Sequence, residues 1–222
     1  MEFTSLSTKP KTQVSLPVAG KEIDVSYDEN SISIDENLNA QILKLLSSGY
    51  SYLLNIIDRK SMLGMKNILK LKRTGRHQTA GLDMDINVEQ IEQSLNSGDP
   101  YQIDLQQSLL IHEIVHHLVT EEHFPMFIEM IYMLEKGHIE RFQNIKQLFL
   151  AKKISKPYQD GLLQIAAWLG YTNIETMLDN FPLLNPANLK EIFKRKYKEL
   201  CEQDPEISVQ IEDTRQKLRN AA

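Results

Sequence analysis

Residues 111–118 read IHEIVHHL: three histidines and a glutamate inside a run otherwise made of Ile, Val and Leu. No other stretch constrains the fold as much. Imidazole and carboxylate groups are costly to bury unless each finds a partner, so whatever packs here must supply polar groups or a metal ion. Leu105, Leu109, Ile111, Val115 and Leu118 recur at helical spacing. Asp104, followed three residues later by Gln107, has the form of a capping box and sets the predicted helix start. On that helix His112 and His116 lie four residues apart and share a face. Two imidazoles in that relation can bind one zinc ion. Glu113, beside them but angled away, can deprotonate a water. The competing reading is a core helix whose histidines are hydrogen-bonded to neighbours.

A zinc site needs a third protein ligand. Downstream the chain reads TEEHFPMFIEMIYMLEKGH, with Pro125 suited to open a second helix and Gly137 to end it. Glu129 stands alone among Met126, Phe127, Ile128, Met130, Ile131 and Met133. A carboxylate in those surroundings calls for compensation, which metal coordination would supply. Glu135, next to Lys136, reads as a solvated helix end. Glu122 lies six residues after His116, where the H-E-x-x-H-x-x-G-x-x-H arrangement puts its third histidine, but Val119 occupies the glycine position. His123 is one residue out of that register, and His117 points away from the His112/His116 face.

HEIVHHL followed by FPMFIEMIYMLEKG resembles the zincin metallopeptidases of the gluzincin type. The resemblance covers about residues 65–137. It implies an α+β, zincin-like fold with a small, mostly antiparallel sheet, an active helix carrying HExxH, and helices after it. It implies His112, His116 and Glu129 as ligands of one Zn2+ and Glu113 as general base in peptide-bond hydrolysis. The family's Pro-x-Trp-Leu-x-Glu-Gly pattern is met at Pro125, Phe127, Ile128 and Glu129 and departs at Met130, where glycine is usual. Other gluzincin spacings would reach Glu135. A strand before the active helix, in GLDMDIN or NILKLKR, would be the edge along which substrate lies. Tyr132, His138, Tyr158 and Tyr171 are the candidates for an oxyanion donor.

The rest of the chain supports a mixed order. QVSLPV, EIDVSY and SISI alternate as strands of an antiparallel meander. Residues 37–59 are helical, with Gly49 as a break. MKNILKLKR and GLDMDIN alternate apolar and charged residues, with RTGRHQTAG as a loop or wide hairpin between them; Arg76 and His77 fall in that loop, where a contact with substrate competes with the commoner reading of loop residues that make none. From residue 104 the pattern is helical, punctuated by Pro157, Pro182, Pro186, Gly137, Gly161 and Gly170, and it closes on a polar helix, ISVQIEDTRQKLRN. A soft boundary near residue 150 separates a metallopeptidase domain, 1–150, from a helical annex, 151–222.

Composition narrows the function classes. A net charge of −5 argues against a general nucleic-acid binder, and the basic run KEIFKRKYKEL reads as a solvated helix face. One cysteine, Cys201, gives no disulfide framework and fits a reducing compartment. MEFTSLSTKPKTQVSL has no apolar core of a secretory signal, and no apolar run approaches the roughly 20 residues that span a bilayer. The expectation is a cytoplasmic protein, or one exported without a Sec-type signal as a toxin or effector, acting on protein or peptide. The alternative is a catalytically inactive zincin-like module that binds or regulates through its C-terminal helices.

Overall fold

The computed structural model describes residues 12–18, 21–27, 36–57, 69–73, 75, 77–80 and 83–203. The SISI strand, Arg76 and the polar helix expected after residue 206 lie outside them. Among the described residues, five strands form one sheet: β1 (Thr12–Val18), β2 (Lys21–Tyr27), β3 (Leu69–Lys72), β4 (Gln78–Ala80) and β5 (Asp83–Asn87), in the order β1-β2-β3-β5-β4. β1/β2 and β4/β5 are antiparallel, whereas β2/β3 and β3/β5 are parallel. The sheet is therefore mixed, not mostly antiparallel. The cause is helix α1 (Glu36–Leu54), which carries the chain back between β2 and β3, and a crossover of that length permits parallel pairing. Val25, Leu71 and Ile86 turn into the core. On β3 and β5, Lys72 reaches Asp85 at 2.6 Å.

The segment RTGRHQTAG is more than a loop. It carries β4 to the outside of β5, so β4 forms the sheet edge and the strands in NILKLKR and GLDMDIN lie inside it. Gly49 does not break α1. It lies buried where α1 crosses the helix that carries His112, and a Cβ there would meet Gln107 Nε2 and Ile114 Cδ1 at 3.0 Å.

Helix α2 (Val88–Ser97) fills the stretch between GLDMDIN and the predicted helix start at Asp104. Val88, Ile91 and Ser94 are buried on one side, and the Asn87 side chain caps it by accepting from Gln90 N at 3.3 Å. Helix α3 (Pro100–His116) starts four residues before the expected Asp104. Asp99 accepts from Tyr101 N at 3.0 Å and Pro100 sits in the first turn, a stronger start signal than the capping box inferred at Asp104. Asp104 instead takes Tyr132 Oη at 3.3 Å and His138 Nε2 at 2.9 Å.

Helix α4 (His123–Glu135) is the hub. It packs on α3, on α6 (Lys156–Trp168) and on α8 (Pro186–Gln203), with α5 (Glu140–Leu150) and α7 (Ile174–Asn180) alongside. One hydrophobic cluster runs from Val25 to Tyr197 and includes Phe124, Phe127, Phe142, Phe181 and Phe193. Gly161 does not punctuate α6. It lets α6 approach α4, since a Cβ there would fall 2.7 Å from Met126 Sδ and 3.4 Å from His123 N. The basic run on α8 is a solvated face laced to Glu199 and Glu202, with Phe193 and Tyr197 inward. Among the described residues, no helix is long and apolar enough to cross a membrane.

Candidate metal centre

The last two turns of α3 carry His112, Glu113 and His116, and all three point into the protein. His112 is 2% exposed and Glu113 7%. The imidazole rings lie 5.0 Å apart. Both turn Nε2 toward the same atom, Glu122 Oε2, at 3.6 Å from each. Glu122 stands at the junction where the chain leaves α3, turns through Leu118 and Thr120, and enters α4. Val119, buried at 3%, anchors that turn in the core.

A separation of 3.6 Å is too long for a good hydrogen bond. It suits donors that share one ion: ligands about 2.0–2.2 Å from a tetrahedral metal lie roughly 3.3–3.5 Å apart. Glu122 Oε2 is buried without a hydrogen-bond partner among the described residues, as an oxygen kept for a cation would be. His112, His116 and Glu122 thus form a group that can hold a metal ion.

The other nitrogen of each ring is engaged. His112 Nδ1 faces Glu129 Oε2 at 3.2 Å, and His116 Nδ1 faces the Val119 carbonyl at 3.4 Å. Each partner accepts a hydrogen bond from Nδ1–H, which selects the tautomer whose Nε2 lone pair is available to a metal. Glu129, expected as the third ligand, faces the Nδ1 side of His112, whereas Glu122 faces Nε2. Glu129 is buried, 3% exposed, and stands behind His112, with Oε2 on Nδ1 and Oε1 accepting from Arg141 at 2.6 Å. The compensation demanded by its apolar helix comes from an arginine and an imidazole. Glu135 is farther off still, held at 2.6 Å by both Tyr52 Oη and Lys190 Nζ.

Electrostatics follow this geometry. Burial alone would lower the pKa of His112, but Glu122 and Glu129 outweigh it and hold the metal-free imidazolium up to about 9. The two histidines depress Glu122 to about 2. Burial would raise Glu129, yet Arg141 and His112 bring it down to about 2. Glu113 goes the other way. Burial raises its pKa, with His112 and His116 opposing, and its Oε2 has no hydrogen-bond partner among the described residues. A carboxyl with a raised pKa beside two imidazoles is placed as a proton acceptor.

Of the four oxyanion-donor candidates, one reaches the centre. Tyr158 on α6 stacks on His112 at 5.8 Å between centroids, with its hydroxyl 3.4 Å from Nε2. Burial, helped by the surrounding carboxylates, keeps it protonated far into the alkaline range. Tyr132 and His138 are committed to Asp104, and Tyr171 packs against the core. His123 packs on Phe124 and Trp168. His77, beside the edge strand, bonds Gln106 on α3 at 3.2 Å. Arg141 gave no signal in the sequence beyond being a lone cation near the start of an amphipathic helix, and Glu122 gave one only through its spacing from His116. Compared with protein-family models, with curated proteins and with solved structures, the chain matches none of them.

Proposed function

We propose that the chain is a zinc-dependent peptidase whose metal is held by His112, His116 and Glu122, with Glu113 as general base. One observation carries this reading: two imidazole Nε2 atoms converge at 3.6 Å on a carboxylate oxygen that lacks a hydrogen-bond partner among the described residues, and Glu113, next to His112 in the chain, has an oxygen, Oε2, in the same condition. The donor set suits zinc, which takes two imidazoles and a carboxylate and keeps a fourth position open for chemistry. When bound, the ion would polarise the scissile carbonyl and bring the acidity of water close to neutral pH.

The chain's own groups do the rest. Glu113 accepts the proton of the attacking water at its free oxygen and passes it to the leaving amine. Its raised pKa suits both halves of that exchange. Tyr158 donates a hydrogen bond to the oxygen that gains negative charge as the carbonyl is attacked. The edge strand β4 offers an unpaired side among the described residues to an extended peptide, and His77 ties that strand to α3 through Gln106.

The test is digestion of a broad peptide library by the purified protein, with and without added Zn2+, read by mass spectrometry. Zinc-dependent cleavage that disappears in Glu113→Gln is the expected result. A protein that binds zinc but cleaves nothing would leave a metal-binding module in place of an enzyme.

A further inference from the structure

We propose that Glu129 and Arg141 act as a positioning pair for His112, fixing its tautomer and aiming its Nε2 at the metal, with neither side chain touching the ion. This inference rests on the metal-binding part of the reading above. It differs from what the chain's resemblance to gluzincins implies, in which the acid of the second helix is itself a ligand.

Three observations carry it. Both Glu129 oxygens are occupied: Oε2 by His112 Nδ1 at 3.2 Å and Oε1 by Arg141 Nη2 at 2.6 Å. Nδ1 is the ring nitrogen turned away from Glu122, so an ion between Nε2 and Glu122 lies across the imidazole from Glu129. The pair is assembled from two helices, Glu129 from the middle of α4 and Arg141 from the first turn of α5. A carboxylate buried to 3% needs a charge partner, and Arg141 supplies one that leaves its second oxygen free to face the imidazole. Outer partners of this kind hold a ligating imidazole in one tautomer and orientation and raise its basicity.

The experiment titrates the full-length, metal-free protein with Co2+ and follows the visible absorption, which reports the donor set separately from affinity. Four variants are compared: Glu122→Ala, Glu129→Gln, Arg141→Lys, and the double variant Glu129→Leu/Arg141→Met, which removes both charges together so that neither is left stranded in the core. The double variant should bind Co2+ roughly 10–100-fold more weakly with an unchanged band shape. Glu129→Gln, which keeps an acceptor oxygen for Nδ1–H, should recover most of that loss. Glu122→Ala should change the band itself. In the zinc-loaded protein, the hydrogen-bonded His112 Nδ1–H seen by NMR should persist in Glu129→Gln and vanish in the double variant, a signature that mere loosening of the fold would not produce.

A double variant whose band changes as in Glu122→Ala makes Glu129 a ligand and overturns the proposal. So does an affinity within about twofold of wild type, well short of the cost expected for losing an outer partner. If the double variant does not fold, Arg141→Lys, which keeps the charge but loses the planar fork, is judged on the same two criteria. A wild-type protein that takes up no Co2+ or Zn2+ removes the metal site and this inference with it. One that binds metal without cleaving peptide removes the peptidase reading and leaves the positioning result standing.

Discussion

Helix α4 has two polar ends built from the same residue types and arranged differently. At its C-terminal end, Tyr52 and Lys190 each meet Glu135 at 2.6 Å, and Asp104 receives His138 at 2.9 Å and Lys136 at 3.3 Å. Each of these carboxylates is closed by a donor at bonding distance. At the N-terminal end, His112 and His116 stop 3.6 Å short of Glu122, and Glu113 Oε2 has no hydrogen-bond partner among the described residues. Closed contacts satisfy buried charge within the chain. Donors held apart around a shared point form a group that can hold a metal ion. Having histidines and acids close together does not mark a site; the spacing between them does.

The contrast breaks most visibly if Glu113→Gln remains active. That variant should keep its metal and lose about 10²–10⁴-fold in peptide hydrolysis, measured as initial rates on one cleaved peptide. Next in size is the paired comparison of Glu122→Ala with Glu135→Gln. The first should weaken zinc binding by more than the roughly 10–100-fold typical of losing an outer partner, whereas the second should leave it unchanged in a calorimetric titration.

The pH dependence sharpens the comparison. His112 has its folded pKa raised from an ordinary 6.5 to about 9, so its ion pairs stabilise the metal-free protein fully below pH 6.5 and are lost as pH rises through 9. His77 and His123, both lowered by burial, work the other way: they add stability as pH rises through the unfolded value of 6.5 and fall silent well above it, so the loss due to His112 is read toward pH 9. With chelator present, stability should fall by about 2–3 kcal/mol between pH 6.5 and 9. Glu122→Gln should flatten that slope, and Glu135→Gln should not.

Gly161→Ala should cost about 1–3 kcal/mol by pushing α6 off Met126, and should lower activity more than zinc affinity because Tyr158 rides on the same helix. Least affected of all should be Lys190→Met. Its pair with Glu135 is part exposed, so stability should change by less than about 1 kcal/mol with metal binding intact.

How much of this was legible in advance depends on whether the signal was local. The helical face shared by His112 and His116, the helix opening near Pro125 and ending before Gly137, and the alternation of strands β3 and β5 all follow from neighbours a few residues apart. The helix at 88–97 has an equally local pattern, Val88, Ile91 and Leu95 after Asn87, but one of only ten residues. The parallel pairing of β2 with β3 and the edge position of β4 depend on where α1 and the 73–82 segment carry the chain, which no residue window contains.

Sequence alone determined that this chain buries imidazoles and carboxylates together, since HEIVHHL and the lone Glu129 sit in runs too apolar to face water. It did not determine which acid the imidazoles face. That was decided by the tight turn at 117–122, which swings Glu122 back over the His112/His116 face, and by the approach of α5, which brings Arg141 to Glu129. The physical reason is that a carboxylate goes to whichever partner the packing brings nearest, and that distance is set by helices meeting far apart in the chain.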